Sequence, residues 1–250
     1  KNLNSHLMKG FFLSGVPSDL KNTSFPFKFN DINSFKRIIN QHEIGVVKIE
    51  VFRNEPPKKI FLKQLREICN QKKIVLIFDE CTSGFRATFG GIYNLYGINP
   101  DIVLYGKALG NGYPITACVG KKSIMEASEK SFISSTFWSE RIGFSAGIAT
   151  LNEMEKIKSW KKLNILGEYF KKNLKKISDD NKIGLEITGL PALTSYYIPH
   201  KYSDIFQAFI TQELLKYKYL GTQTFYMSTA HSKKKIGKYL DRLNDIFKII

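Results

Sequence analysis

The sequence has few of the residues that mark metal-binding or disulfide-rich proteins. It contains three cysteines in 250 residues, Cys69, Cys81 and Cys118, and no two of them stand close together. This spacing argues against a zinc knuckle, and an odd number of cysteines is typical of reduced thiols in the cytosol. We therefore predict a cytoplasmic protein without a metal site.

Long apolar runs are also missing. No stretch approaches the roughly 20 apolar residues that cross a bilayer, so we expect no membrane association. The first residues, KNLNSHLM, lack the apolar core and cleavage site of a secretory signal, and they lack an initiator methionine. We interpret the sequence as a mature or truncated chain.

Arginine is scarce among the basic residues. Only 6 of the 38 basic residues are arginine, although the formal net charge is +16. The lysines are scattered or fall on the polar side of predicted helices, as on a solvated helix face. No pattern interleaves arginine with aromatic residues, as a surface that stacks on bases would. We therefore expect no nucleic acid partner.

Apolar periodicity predicts alternating helices and strands. Short β-branched runs predict buried strands at residues 45–52, 73–78, 101–105 and 115–120, and helical spacing predicts helices at 32–40, 59–71 and 144–176. This alternation favours an α/β layer with a mostly parallel sheet. A smaller α+β unit follows, with strands at 194–198 and 222–227 and helices at 203–217 and near the C terminus. We place a domain boundary near residue 150, which gives domains 1–150 and 151–250.

Three segments carry residues suited to catalysis. Residues 76–86 read LIFDECTSGFR, residues 100–114 read PDIVLYGKALGNGYP, and residues 134–143 read SSTFWSERIG. The first two place Asp79 and Lys107 just beyond predicted strands. Ligand-binding residues of parallel sheets gather at the carboxyl ends of strands, so we expect these two side chains at one edge of the sheet.

In this order the three segments resemble class III aminotransferases, which are fold-type I pyridoxal-phosphate enzymes. That family has a strand ending in Asp-Glu, then a Thr-Gly-Phe turn, then a Pro-Asp-Ile strand leading into Lys-x-Leu-Gly-x-Gly-x-Pro. The resemblance implies a partial fold-type I fold with pyridoxal 5'-phosphate as cofactor. Glutamate-1-semialdehyde aminomutase is a close relative within the same group.

The resemblance also assigns roles to particular residues. It implies that Lys107 forms the Schiff base with the cofactor and later moves a proton, and that Asp79 keeps the ring nitrogen protonated. Cys81 matches a position beneath the ring where the family usually has an aliphatic residue, and Thr82 is placed to reach the ring hydroxyl. Thr136 resembles a threonine that holds the cofactor phosphate across a dimer interface, against the alternative of an ordinary turn residue. The resemblance therefore implies a homodimer with a shared active site.

Three further charged residues are candidates for substrate binding. Glu50 and Glu55 follow a predicted strand where the family often has Glu-Pro, and each is equally suited to a surface salt bridge. Arg86 has the geometry to bind a substrate carboxylate, with a structural ion pair as the alternative.

The resemblance also indicates a missing N-terminal part. No turn suited to bind phosphate through backbone amides precedes Asp79, so we expect an N-terminally truncated chain. We predict amino-group transfer between a small amino donor and a keto or aldehyde acceptor. The alternatives are an aminomutase, which moves the amino group within one substrate, and a non-catalytic fragment or subunit.

Overall fold

The computed structural model describes residues 15–20, 22–134 and 136–250. The chain divides into two compact units. The first unit comprises residues 1–47 and 57–75, and the second comprises residues 48–56 and 76–250. We describe each unit by itself.

The first unit contains two amphipathic helices, α1 (Ile32–Gln41) and α2 (Lys59–Lys72), after a short 3-10 helix at Ser18–Leu20. Helix α1 begins where the Asp31 carboxylate accepts hydrogen bonds from two backbone amides of the first turn. Helix α2 ends at Lys73, whose backbone is left-handed, with a φ of 56°. The apolar side of α2 is buried, and Phe61 contacts Phe29 edge-on at 5.4 Å between ring centroids.

A four-stranded sheet runs in the order β1 (Val46–Glu50), β2 (Val75–Asp79), β3 (Ile102–Tyr105) and β4 (Ala117–Gly120). Strands β1 and β2 begin in the first unit and end in the second. Strands β2 and β3 are parallel, and β3 and β4 are antiparallel. The sheet is therefore mixed, and the Gly110–Pro114 turn allows β4 to return beside β3 without a crossover helix.

Helices and short 3-10 turns surround these strands in the second unit. The 3-10 helices are Ile92–Leu95, Lys107–Leu109 and Glu126–Lys130, and the α-helices are α3 (Lys122–Met125), α4 (Arg141–Ile157) and α5 (Ser159–Asp180). The predicted helical stretch at 144–176 is thus two helices. They are separated by Lys158, which has a left-handed φ of 50°.

The C-terminal part of the second unit is an antiparallel sheet covered by helices. Its strands are β5 (Glu186–Thr188), β6 (Leu193–Tyr197) and β7 (Thr224–Tyr226), and its helices are α6 (Ser203–Lys216) and α7 (Lys233–Phe247). The apolar sides of α5, α6 and α7 form one core with this sheet, in which Phe170, Leu174, Leu214 and Leu243 are fully buried. The smaller α+β unit predicted from the sequence has this architecture, and its boundary near residue 150 stays a prediction.

The described residues contain neither a helix suited to span a membrane nor a cluster of side chains suited to bind a metal ion. No described helix is both long and apolar enough to cross a membrane. Within the same residues, no group of three or more His, Cys, Asp or Glu side chains is arranged to hold a metal ion.

Candidate active site

Two neighbouring parallel strands bring the chemically important residues to one edge of the sheet. Strand β2 ends at Asp79, which stands opposite Leu104 of β3. Strand β3 ends at Tyr105, and the chain then turns through Gly106 into Lys107. Because both strands run in the same direction, their carboxyl ends lie side by side, as the sequence predicted.

Lys107 has a strained backbone. Its φ is +45°, in the left-handed region that residues with a Cβ seldom adopt. The preceding residue is glycine for a steric reason, because a Cβ at Gly106 would lie 2.9 Å from the Cys81 sulfur. The exposed Lys107 amine donates a hydrogen bond to the Thr82 hydroxyl, with 2.6 Å between Nζ and Oγ1. The loop after β2 and the turn after β3 therefore meet at Lys107, Thr82 and Cys81.

Asp79 is an ionised carboxylate with both oxygens engaged. Its Oδ2 pairs with Lys48 Nζ at 2.9 Å, and its Oδ1 accepts a hydrogen bond from the Cys81 amide at 3.1 Å. Burial acts to raise the pKa of Asp79. The hydrogen bonds from Lys48 and Cys81, with the positive charges of Lys48 and Lys107, outweigh burial and lower that pKa below its ordinary value.

The next carboxylate, Glu80, has the opposite environment. It is fully buried, and its oxygens accept hydrogen bonds from the Ser83 hydroxyl and the Tyr93 amide. Burial raises the pKa of Glu80, and the negative charge of Asp79 acts in the same direction, although the hydrogen bonds partly oppose it. Glu80 therefore anchors the loop after β2, whereas Asp79 remains ionised and partly exposed at the end of the strand.

Arg86 and Lys107 both donate hydrogen bonds to Thr82. Its Nε donates to the Thr82 carbonyl at 2.8 Å, and its guanidinium lies over the Tyr226 ring at 5.4 Å. Burial lowers the pKa of Arg86, and Tyr226 counteracts this. Since guanidinium groups titrate near the top of the pH scale, Arg86 remains a cation at neutral pH.

A cavity of about 760 Å³ lies beside these residues, entirely within the second unit. Both Lys107 and Arg86 line it, together with residues of the turn after β3 and of helix α4. Asp79 and Cys81 are not among its lining residues. Lys107 thus contributes to the wall of the cavity, whereas Asp79 and Cys81 do not.

The three other candidate residues do not join this group. Thr136 is exposed in a turn before α4, whose first amides are capped by the Glu140 carboxylate. Glu50 pairs with Arg53 at 3.2 Å, which is the salt bridge that the sequence left open as the alternative. Glu55 is exposed, and neither glutamate lines the cavity.

Lys48 is the site residue that the sequence analysis did not identify. It lies in β1 between Val47 and Ile49, both buried, so its side chain projects from the other face of the strand. A lysine in the middle of an apolar, β-branched strand indicates a side chain with a specific partner. The sequence alone does not identify that partner, because it does not give the order of β1 and β2 in the sheet.

A comparison with protein families gives one match over most of the chain. A family model described as "Aminotransferase class-III" matches residues 54–247. Among curated proteins, the glutamate-1-semialdehyde 2,1-aminomutase of Campylobacter hominis is 32% identical over 94% of this chain and 57% of its own length. The 3-aminobutyryl-CoA aminotransferase of Cloacimonas acidaminovorans is 33% identical over 71% of this chain and 45% of its own length.

Solved structures share the fold. A transaminase with PLP bound superposes with a TM-score of 0.87 at 22% identity, over 95% of this chain and 60% of its own. An omega-transaminase from Sphaerobacter thermophilus superposes with a TM-score of 0.81 at 23% identity, over 88% of this chain and 56% of its own. These superpositions confirm the predicted partial fold-type I architecture. The chain spans 45% to 60% of the length of these four proteins.

Proposed function

The chain belongs to the class III aminotransferase family, and from this premise we propose that it forms the lysine-bearing part of a pyridoxal-phosphate enzyme that transfers amino groups. The observation that carries the proposal is the meeting of three groups at one sheet edge. Lys107 Nζ lies 2.6 Å from Thr82 Oγ1, and Asp79 ends the neighbouring parallel strand as an ionised carboxylate.

The residues present fit two of the three parts of this cofactor. Lys107 offers an exposed amine for its aldehyde, and Asp79 offers a carboxylate for its ring nitrogen. Cys81 packs against Gly106, which would give the site a small, apolar floor. For the third part, the phosphate, the candidate that the resemblance implies is Thr136, which is exposed at the surface.

When bound, pyridoxal phosphate supplies an electron sink that acidifies the α-carbon of an amino acid. Lys107 Nζ then accepts the α-proton and returns it, as a general base and acid already in place. Thr82 Oγ1 holds that amine between proton transfers through the 2.6 Å hydrogen bond. Asp79 would accept a hydrogen bond from the ring nitrogen, and its negative charge would favour the protonated form of that nitrogen.

The substrate side of the proposal uses the cavity beside Lys107. Arg86 is one of the residues that line that cavity, and the donors of a guanidinium fit a carboxylate, so it would orient an acidic amino donor or keto acceptor. We assign no substrate-binding role to Glu50 or Glu55, because Glu50 is paired with Arg53 and neither residue lines the cavity.

A second candidate reaction is the aminomutase reaction. The supporting observation is that relatives described as glutamate-1-semialdehyde 2,1-aminomutases align with 94% and 92% of this chain. The two reactions use the same lysine and carboxylate and differ in their substrates. An aminomutase needs one substrate, whereas an aminotransferase needs a separate amino acceptor.

We further propose a homodimer with shared active sites, in which Thr136 reaches the cofactor phosphate of the other subunit. Large apolar side chains around Thr136 are exposed, including Phe132, Phe137, Trp138, Ile142, Phe144 and Ile148. Exposed apolar surface of this kind is typical of a protein interface. The three cysteines form no disulfide with one another, which supports a cytoplasmic location.

The experiment that tests the proposed reaction is an amino-transfer assay on this chain with pyridoxal phosphate. We expect transfer of a labelled amino group to an added keto acid. Lys107→Ala should abolish transfer, because it removes the general base and acid. Asp79→Asn should slow transfer by roughly 100-fold or more, because the ring nitrogen loses the carboxylate that favours its protonated form and the proton transfer by Lys107 becomes harder. Conversion of glutamate-1-semialdehyde without an added acceptor would favour the aminomutase. Equal rates in wild type and Lys107→Ala would refute both reactions.

A further inference from the structure

Strand β1 carries a lysine, Lys48, whose amine pairs with the Asp79 carboxylate at the end of β2. Val47 and Ile49 point into the core, and Lys48 between them lies on the other face of the strand. Its side chain is 56% exposed, yet its amine lies 2.9 Å from Oδ2 of Asp79, whose side chain is 16% exposed. An isolated surface pair of this kind contributes little to stability, so its interest lies in what it does to the carboxylate.

The charges that face Asp79 come from three elements. Lys48 approaches from β1, Lys107 approaches from the turn after β3, and Glu80 is the neighbour in sequence. Lys48 is the cation in direct contact with the carboxylate, and the Cys81 amide holds the other oxygen. The Asp79 carboxylate is therefore fixed at both oxygens before any ligand arrives.

A fixed cation beside a carboxylate affects any group that the carboxylate binds. A ring nitrogen that donates to Asp79 carries a positive charge, which the carboxylate favours. A second positive charge within a few ångströms opposes that charge, because like charges lower the pKa of a cationic acid. The carboxylate therefore raises the pKa of such a ring nitrogen, and the nearby cation lowers it.

We propose that Lys48 is a positioning residue for Asp79. It orients the carboxylate at the end of β2, and it weakens the proton affinity of the cofactor ring nitrogen below what Asp79 alone would give. The second half of this proposal rests on the proposed function, because it requires pyridoxal phosphate in the site. The first half concerns the chain alone.

The first test needs no cofactor. The pH titration of the Asp79 carboxyl carbon, followed by NMR in the full chain, should shift upward in Lys48→Met, because burial is then opposed only by the Cys81 amide and the more distant charge of Lys107. Lys48→Arg keeps the charge and should restore the wild-type titration. A matched control is Lys121→Met, which removes a similar pair between a half-exposed lysine and a buried aspartate, Lys121 Nζ to Asp101 Oδ1 at 2.7 Å. That variant should leave Asp79 unchanged.

The second test reads the ring nitrogen directly. Pyridoxal phosphate is attached to the chain by borohydride reduction, and the absorbance of the labelled protein is titrated with pH. The ring nitrogen should titrate about one pH unit higher in Lys48→Met than in wild type, and lower in Asp79→Asn. Lys48→Arg should match wild type within a few tenths of a unit.

The outcomes separate the two proposals. If Lys48→Met leaves the Asp79 titration unchanged, Lys48 has no positioning role, whatever the cofactor does. If the Asp79 titration shifts and the ring titration does not, the carboxylate is positioned and the effect on the ring is refuted. If no label reaches Lys107, the proposed function fails and the effect on the ring fails with it, whereas the first titration still decides the role of Lys48.

Discussion

At the scale of single residues, adjacent carboxylates at the end of β2 have opposite pKa shifts. Asp79 is partly exposed and paired with a cation, which lowers its pKa, whereas Glu80 is fully buried and its pKa is raised. The alternation of a strand explains the difference, because successive side chains point to opposite faces. Asp79 therefore stays ionised at the end of β2, whereas Glu80 anchors the loop that follows it.

The raised pKa of Glu80 predicts a pH-dependent cost in folding. In the unfolded chain Glu80 titrates near its ordinary value of 4.5. Stability that depends on its protonated form is fully present below that pH and is lost as the pH rises through the higher folded-state pKa. Glu80→Gln cannot ionise and keeps hydrogen-bonding groups for Ser83 and Tyr93. We expect its free energy of unfolding, relative to wild type, to increase from about pH 4.5 to pH 7.5.

Urea unfolding at several pH values measures this difference. Glu43→Gln, at an exposed glutamate, is the control and should show no such trend. A difference between Glu80→Gln and wild type that stays constant across the pH range would contradict the assignment.

The sequence was sufficient to identify the candidate site residues that lie in local motifs. It placed Asp79 and Lys107 at one edge of the sheet, and the structure shows that their strands are neighbours and brings Thr82 and Cys81 to the same point. It missed Lys48, because the Lys48–Asp79 pair depends on which strands are neighbours and not on spacing in the sequence. The roles assigned to these residues stay predictions until variants are measured.

At the scale of elements, apolar periodicity located most helices and strands, and local backbone events set their limits. The break between α4 and α5 lies at Lys158, a left-handed lysine that no propensity would indicate. Strand β5 has only three residues and lies between Gly184 and Gly189, both at positive φ, so its sequence carries no alternating pattern to detect. The antiparallel direction of β4 depends on the connection through residues 106–116, whose path composition alone does not specify.

The packing of α5 against the loop before β6 gives a prediction for one helix glycine. A Cβ at Gly167 would lie 2.0 Å from the Pro191 carbonyl oxygen, a backbone atom that cannot move without the loop. We expect Gly167→Ala to destabilise the chain by roughly 2 kcal/mol or more, as overpacking does in a close contact.

The matched control is Gly237→Ala in α7. A Cβ at Gly237 would meet only the Tyr169 hydroxyl at 4.0 Å, so alanine should stabilise this helix by about 0.5–1 kcal/mol. Urea unfolding of both variants provides the measurement. Equal effects of the two substitutions would show that the contact with Pro191 does not constrain α5.

At the scale of the whole molecule, the proposed dimer predicts how the exposed apolar segment behaves in solution. Phe132 is 96% exposed and Phe137 is 71% exposed, beside Trp138 and Thr136. Wild type should sediment as a dimer at micromolar concentration, and Trp138→Asp should weaken that dimer by at least about tenfold, because it places a charge in an apolar interface.

Leu220→Asp is the control for the dimer. Leu220 is 92% exposed and lies outside the segment around Thr136, so a charge there should leave the sedimentation of the wild-type dimer unchanged. A wild-type chain that stays monomeric at every concentration would rule out the shared active site.

The central claim is that Lys107 is the lysine that binds the cofactor. The most direct measurement adds one equivalent of pyridoxal phosphate to the chain, reduces with borohydride and maps the label by peptide mass spectrometry. We predict that the label lies on Lys107 in preference to exposed lysines such as Lys121, and that Lys107→Arg loses this preference. A label spread evenly over the surface lysines, with the same distribution in wild type and Lys107→Arg, would contradict the account.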